Sequence, residues 1–348
     1  MRAMMYEAFG GPVDVRDVTE PELPEGGVVV SVGASGLCRS DWHAWAGHDD
    51  SVHLPHVPGH EFAGTIAAVG AGVRRWRVGD RVTAPFVNGC GVCEWCTSGQ
   101  SQVCPKQTQP GFTHWGSHAE LVAIRAADLN VVAVPDELSD EAAASLGCRF
   151  ATAYRAVNAR ARVQPGEWVA VYGAGGVGLS AVMIASALGA RVIAVDRNPA
   201  ALELARSVGA EHALPASAST PAEIADLTGG GAHVSVDAVG SANTSTDAVS
   251  SLRRRGRHVQ IGLLAAGQMP VLPLDRILAW ELDVLGSHGM AAADYPGMLD
   301  LVARGRLRPQ DLLGATVSLE AGAELLPRLD QVAGSGITVV LPAARAGE

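Results

Sequence analysis

The sequence predicts an α/β protein of two domains, a β-rich first part followed by a doubly wound parallel sheet of six strands. Three observations predict it. Residues 1 to about 135 carry short β-prone runs broken by glycine and proline. After Gln164-Pro165-Gly166, apolar runs of strand length alternate with helical stretches, which implies right-handed crossovers and a sheet covered on both faces. At 348 residues, 48% hydrophobic and 18% charged, the chain can build about two cores and lacks a disordered composition.

In the first part the expected strands are 28–32, 64–69, 81–84 and 119–124. From Leu138 the texture turns helical, running through Ala142-Ala143-Ala144 past Cys148 toward Val157. In the second part the expected buried strands are 168–172, 192–195, 234–236, 258–261 and 284–285, with a weaker one at 212–214. Helices are expected at 177–188 and 200–208, the latter closed by Gly209 in a left-handed cap. These runs complete a six-stranded doubly wound sheet. From about residue 289 the tail offers two helical segments and a last apolar run, 337–341.

Charge and composition exclude several classes. A net charge of -10 argues against a nucleic-acid surface, which needs clustered Lys and Arg. The run Arg253-Arg254-Arg255 reads as a solvated helix end. The N-terminus has no signal-peptide pattern. The apolar stretch 168–195 is punctuated by glycines and reads as strand, turn, helix and strand rather than a membrane span. A cytoplasmic protein without a membrane partner is expected. Six cysteines in a long chain with no export signal suit metal better than disulfides.

Gly173-Ala174-Gly175-Gly176-Val177-Gly178 follows one apolar strand and opens a helix. Gly173 permits the tight turn, Gly175 lets backbone approach a pyrophosphate, and Gly178 lets the helix pack close to the strand. The helix amides and dipole then hold the phosphates. Asp196 ends the next strand, where a carboxylate takes the ribose hydroxyls and repels a 2′-phosphate, favouring NAD over NADP. The competing reading has Asp196 only capping the following turn. Arg197 beside it could tolerate a phosphate, which weakens the preference.

Cys90, Cys93, Cys96 and Cys104 lie on one loop, a spacing suited to a closed tetrahedral zinc site of the structural kind. An iron–sulfur cluster fits the gap before Cys104 poorly, and two disulfides suit the compartment poorly. Cys38 stands close to Ser40, Asp41 and His43; His60-Glu61 and Cys148 lie far along the chain. Singly each is ordinary, a buried cysteine or a turn histidine.

Together these motifs, in this order, resemble the zinc-containing medium-chain alcohol dehydrogenases over essentially the whole chain. The resemblance implies a GroES-like catalytic domain at 1–150 with a zinc lobe at about 88–106. It further implies a Rossmann domain at 151–288 and a return to the catalytic domain at 289–348. It implies a catalytic zinc on Cys38, His60 and Cys148, with Glu61 as a transient ligand and Asp41 orienting His60. With the cysteine lobe that makes two zinc ions per chain. Zinc would act as a Lewis acid on an alcohol whose hydride passes to the nicotinamide. Ser40 would take the proton first and His43 pass it outward, although His43 also reads as a plain surface histidine. Arg39 matches a pyrophosphate contact. A basic residue that relatives often carry near the C-terminus for the same task is absent from Gly334-Ser335-Gly336-Ile337.

Phe86, Phe112 and Trp115 match substrate-channel positions, suiting an apolar alcohol or aldehyde, with core packing as the competing reading for Trp115. The nearest rivals are a polyol or threonine dehydrogenase, which tends to carry a carboxylate in place of Cys148, and a biosynthetic aldehyde reductase. From another class, a catalytically silent zinc-binding scaffold would be expected to have lost part of this residue set. Relatives of this length imply a homo-oligomer, a tetramer or else a dimer, with the last sheet strand near Val284 at the contact.

Overall fold

The computed structural model describes residues 1–264, 267–331 and 336–343. The chain divides into two compact units, Met1–Ala151 with Gly289–Ala303 and Leu313–Glu348, and Thr152–His288 with Arg304–Leu312. Residues 304–312 therefore depart from the expectation that everything after 289 rejoins the first part. The reason is local: the short helix Pro309–Leu312 packs on the helix Gly176–Ala187, and the Arg308 amide donates to Met183 Sδ at 3.4 Å.

In the first unit the strand Val28–Leu37 is the organiser. It is rich in valine, a residue that suits the pleated surface, and its alternate residues Val28, Val30 and Val32 share a core with Phe62, Ile66, Val122 and Ile124. It pairs antiparallel with Phe62–Val69, with Leu121–Ile124 and with the chain's last described strand, Ile337–Leu341. Strands Arg81–Thr83, Val132–Ala133 and Leu313–Ser318 extend this sheet. The expected run at 119–124 is shorter as a strand, because Ala119 instead forms an isolated bridge to Ala3.

In the second unit all six expected runs enter one parallel sheet, in the spatial order His212–Pro215, Arg191–Asp196, Trp168–Tyr172, Ala232–Asp237, Leu252–Gln260, Asp283–Gly286. Trp168–Tyr172 is buried at every position, as a strand with helices on both faces requires. The strand order reverses between Trp168–Tyr172 and Ala232–Asp237, and such sheets bind ligands at the carboxyl ends of the strands flanking that point. The apolar stretch noted at 168–195 is strand, twelve-residue helix and strand. No helix among the described residues is long and apolar enough to cross a membrane.

Arg253-Arg254-Arg255 corrects an expectation. The arginines are exposed, but they open the strand Leu252–Gln260 rather than ending a helix. The preceding helix stops at Ser250.

Candidate active site

The long strand Val28–Leu37 delivers Cys38 to the start of the helix Arg39–Trp45. Asp41, in the first turn of that helix, folds back so that its Oδ2 accepts the Cys38 amide at 2.8 Å, a reciprocal cap that fixes the thiol's backbone. Its Oδ1 accepts the Gly59 amide at 3.1 Å and lies 2.9 Å from His60 Nδ1. A carboxylate there makes Nδ1 the donor and leaves Nε2 as the free acceptor. That Nε2 is buried and has no hydrogen-bond partner.

The free nitrogen belongs to a cluster drawn from three distant stretches of chain. One ligand atom each from Cys38, His60, Glu61 and Cys148 lie within 4.8 Å of one another. The cysteines are free thiols. An unpartnered buried polar atom costs about 1–3 kcal/mol, and two sulfurs with one imidazole nitrogen form a donor set for a divalent zinc-type ion. The site fits the metal.

The electrostatics show how strongly these crowded groups act on one another, with only Cys38 shifted toward the charge state a metal ligand needs. The hydrogen bond with Cys148 holds the Cys38 thiol well below its ordinary range despite burial, and Arg149 adds to the effect. The same bond, with burial, pushes Cys148 well above it. Burial opposes a charge on His60, yet the Asp41 carboxylate outweighs it and raises the imidazole well above its ordinary value. Burial likewise opposes charge on Asp41, but His60 and His118 hold its carboxyl far below the usual range.

Glu61 is fully buried in an ion pair with Arg149. Its Oε1 accepts the Arg149 amide at 2.8 Å and Nε at 3.0 Å, and its Oε2 accepts Nε at 2.8 Å and also Nη2. Ser40 Oγ lies 3.8 Å from Cys38 Sγ. His43, on the same short helix, places its Nδ1 3.0 Å from His48 Nδ1. Burial lowers the His43 pKa, with Arg39 and His48 adding to it. Arg39 is exposed, its guanidinium 5.1 Å above the Trp42 ring.

The three aromatics part company. The rings of Phe86 and Phe112 lie 6.1 and 5.1 Å from that of His60. Trp115 packs with Ala3, Met5, Val57 and Ala119, donates to the Pro55 carbonyl at 3.1 Å, and lines a depression with Phe112, His53, His56 and His114. Sequence reasoning missed Arg149, His48 and His118. The first two follow a named residue closely in sequence, which was a signal of sorts. His118 meets Asp41 only through folding, its Nε2 3.5 Å from Asp41 Oδ2.

The four-cysteine loop closes on itself. Cys93 Sγ lies 3.5 Å from Cys96 Sγ and 3.7 Å from Cys104 Sγ, and Cys90 and Cys96 are 4.0 Å apart. These separations are far too long for disulfides. They match the ~3.8 Å between sulfurs placed tetrahedrally at ~2.3 Å from zinc. Backbone donors from Val92 and Cys93 bring Cys90 down to about 6, whereas burial pushes Cys96 up to about 12. Four thiols this close cannot all ionise without a cation among them.

In the second unit Gly173 has φ +94°, and a Cβ on Gly178 would collide with the Gly173 carbonyl. Gly175 caps the helix Gly176–Ala187, which begins with Gly176, Val177 and Gly178. Asp196 Oδ2 accepts the Ala174 amide at 2.6 Å and Oδ1 the Asn198 amide at 2.8 Å. It therefore does cap the following turn, and it also ties that turn to the glycine loop. Arg197 is exposed. Opposite the loop, buried Asp237 accepts the amides of Val239 and Gly240 at 2.9 and 3.1 Å, shaping a segment the sequence did not single out. Gly334 and Ser335, named for a missing basic residue, lie outside the described residues.

Comparison with known proteins agrees with this geometry. Residues 24–136 match the model of the alcohol dehydrogenase GroES-like domain, and residues 176–304 that of the zinc-binding dehydrogenases. An alcohol dehydrogenase of Geobacillus stearothermophilus is 37% identical over 88% of this chain and 90% of its own. An NAD-dependent alcohol dehydrogenase of Sulfurisphaera tokodaii is 32% identical over 98% and 100%. A crystal structure of an NAD-dependent alcohol dehydrogenase superposes with TM-score 0.89 and 32% identity, covering 99% of this chain and 100% of that one. The chain belongs to the zinc-containing medium-chain alcohol dehydrogenases, with a GroES-like domain and a six-stranded Rossmann sheet, and is an oxidoreductase of that family.

Proposed function

We propose that this enzyme transfers hydride between a simple apolar alcohol, or its aldehyde or ketone, and NAD(H), using zinc held by Cys38, His60 and Cys148. The observation that carries the reading is the orphaned His60 Nε2, buried beside two thiols that lie far apart in sequence. When bound, zinc supplies Lewis acidity to the substrate oxygen. A second zinc in the Cys90, Cys93, Cys96 and Cys104 loop braces the structure.

The chain's own residues do the rest. Asp41 fixes the His60 ring. Ser40, beside Cys38, accepts the substrate proton, and His43, disfavoured as a cation by burial, receives it by way of the nicotinamide ribose. The 173–178 loop binds the pyrophosphate at its helix N-terminus, with Arg39 contributing charge. Asp196 has lone pairs left beyond its two amide bonds for the ribose hydroxyls, which favours NAD over NADP despite Arg197. Phe86 and Phe112, against His60, give the substrate end apolar walls.

A homo-oligomer, a tetramer or else a dimer, is supported by the far edge of the Rossmann sheet. Val271, Leu274 and Leu278 are 80%, 71% and 82% exposed, and Val284 on the edge strand is also exposed. Exposed apolar side chains on and near the edge strand suit a contact surface. We place the enzyme in the cytoplasm. A panel of primary and secondary alcohols with NAD and NADP tests the reading: NADH formation strongest on apolar primary or secondary alcohols supports it. Activity confined to polyols or to NADP overturns it.

A further inference from the structure

Arg149 is buried beside the proposed metal ligands, and its bonds form a pattern. Its backbone and side-chain donors go to the Glu61 carboxylate, next in sequence to His60. Its Nη1 donates to the Leu37 carbonyl at 3.2 Å, next to Cys38. Arg149 itself follows Cys148. One guanidinium thus ties together the three segments that carry the three ligands. The backbone makes room for it: a Cβ on Gly36 would sit 2.5 Å from Glu61 Oε2 and 2.8 Å from Arg149 Nη2.

We propose that Arg149 is a positioning residue that engages both Glu61 oxygens, so that Cys38, His60 and Cys148 alone form the resting ligand set of the metal. The proposal rests on the metal reading above. Two thiolates and Glu61 together carry one more negative charge than a divalent ion neutralises, and the Arg149 guanidinium cancels it. A carboxylate deprived of that partner, buried and within reach of the cation, takes the cation instead. Four protein ligands make a closed site of the structural kind, and three leave a position for an outside ligand. Transient ligation by Glu61 then requires breaking its Arg149 bonds, which makes Arg149 the control on that step.

The test uses the full chain loaded with cobalt(II) and titrated with imidazole, followed by visible absorption. The Cys38→Ser chain, which keeps the four-cysteine loop, provides the reference spectrum. The wild type is expected to show a cobalt band absent from that reference and shifted by imidazole. Arg149→Met should bind imidazole roughly tenfold or more weakly, in line with the effects of outer partners of metal ligands. Arg149→Met/Glu61→Gln should recover the wild-type affinity, and Arg149→Lys should fall between.

Equal imidazole affinity in wild type and Arg149→Met, with cobalt bound in both, overturns the proposal and leaves the metal site standing. Absence of the cobalt band in the wild type overturns the metal reading and the proposal together. Should Arg149→Met fail to fold, Glu61→Gln decides. With Arg149 in place, a tenfold gain in imidazole affinity means that Glu61 already occupies the metal and defeats the proposal. A change below about threefold upholds it, since a pinned carboxylate does not compete.

Discussion

Most of the chemistry at the residue scale is held by one helical turn. Asp41 caps the backbone of Cys38 and orients His60, so Asp41→Asn should weaken zinc binding by roughly 10- to 100-fold, measured by competition with a chelator. Ser40→Ala should lower kcat roughly 100-fold or more while leaving NAD affinity unchanged, read from steady-state rates and cofactor fluorescence titration. Unchanged turnover would remove Ser40 from the proton path. His43 can accept a proton only when neutral. Its pKa lies below 6.5 because burial, Arg39 and His48 all disfavour the cation. The acid limb that His43 imposes on alcohol oxidation should therefore have its midpoint below pH 6.5, and His43→Gln should abolish that limb of the pH–rate profile. At this scale the sequence was readable where ligand chemistry is restrictive. Cys38, His60 and Cys148, each ordinary alone, could be named only through the family resemblance, and folding does bring them together. Arg149 could not, because an arginine after a cysteine announces nothing until folding sets it against Glu61.

The units that were readable at the scale of elements are those with a strong period or a strict turn. Six strands alternating with helices, and a glycine run opening a helix, follow from short-range physics. Segments whose pairing depends on distant chain were not readable. Leu313–Ser318 lies beside Ile337–Leu341 in the first sheet, and Pro309–Leu312 packs in the second unit. The arginines at 253–255 misled because charge masks the strand that the flanking residues form. The glycine turn yields a prediction of its own. Asp196→Ala should reduce the preference for NAD over NADP by roughly ten- to a hundredfold, since a charged hydrogen-bond partner is worth about 1.5–3 kcal/mol. The ratio of kcat/KM for the two cofactors measures it. No change in that ratio would return Asp196 to a purely capping role.

At the scale of the whole molecule, the described residues present two donor clusters and an exposed apolar edge. Leu278→Glu should split the proposed oligomer, with light scattering showing a lower mass than the wild type and no loss of circular dichroism. Loss of metal from the four-cysteine loop should lower thermal stability, because its close-set thiols repel when ionised. All of this turns on whether Cys38, His60 and Cys148 share an ion. The most direct measurement is the zinc content of the purified wild-type and His60→Ala chains, with circular dichroism confirming that both are folded. The reading predicts that His60→Ala loses about one zinc ion per chain and keeps the ion of the cysteine loop. A folded His60→Ala chain with the full wild-type zinc content would contradict it.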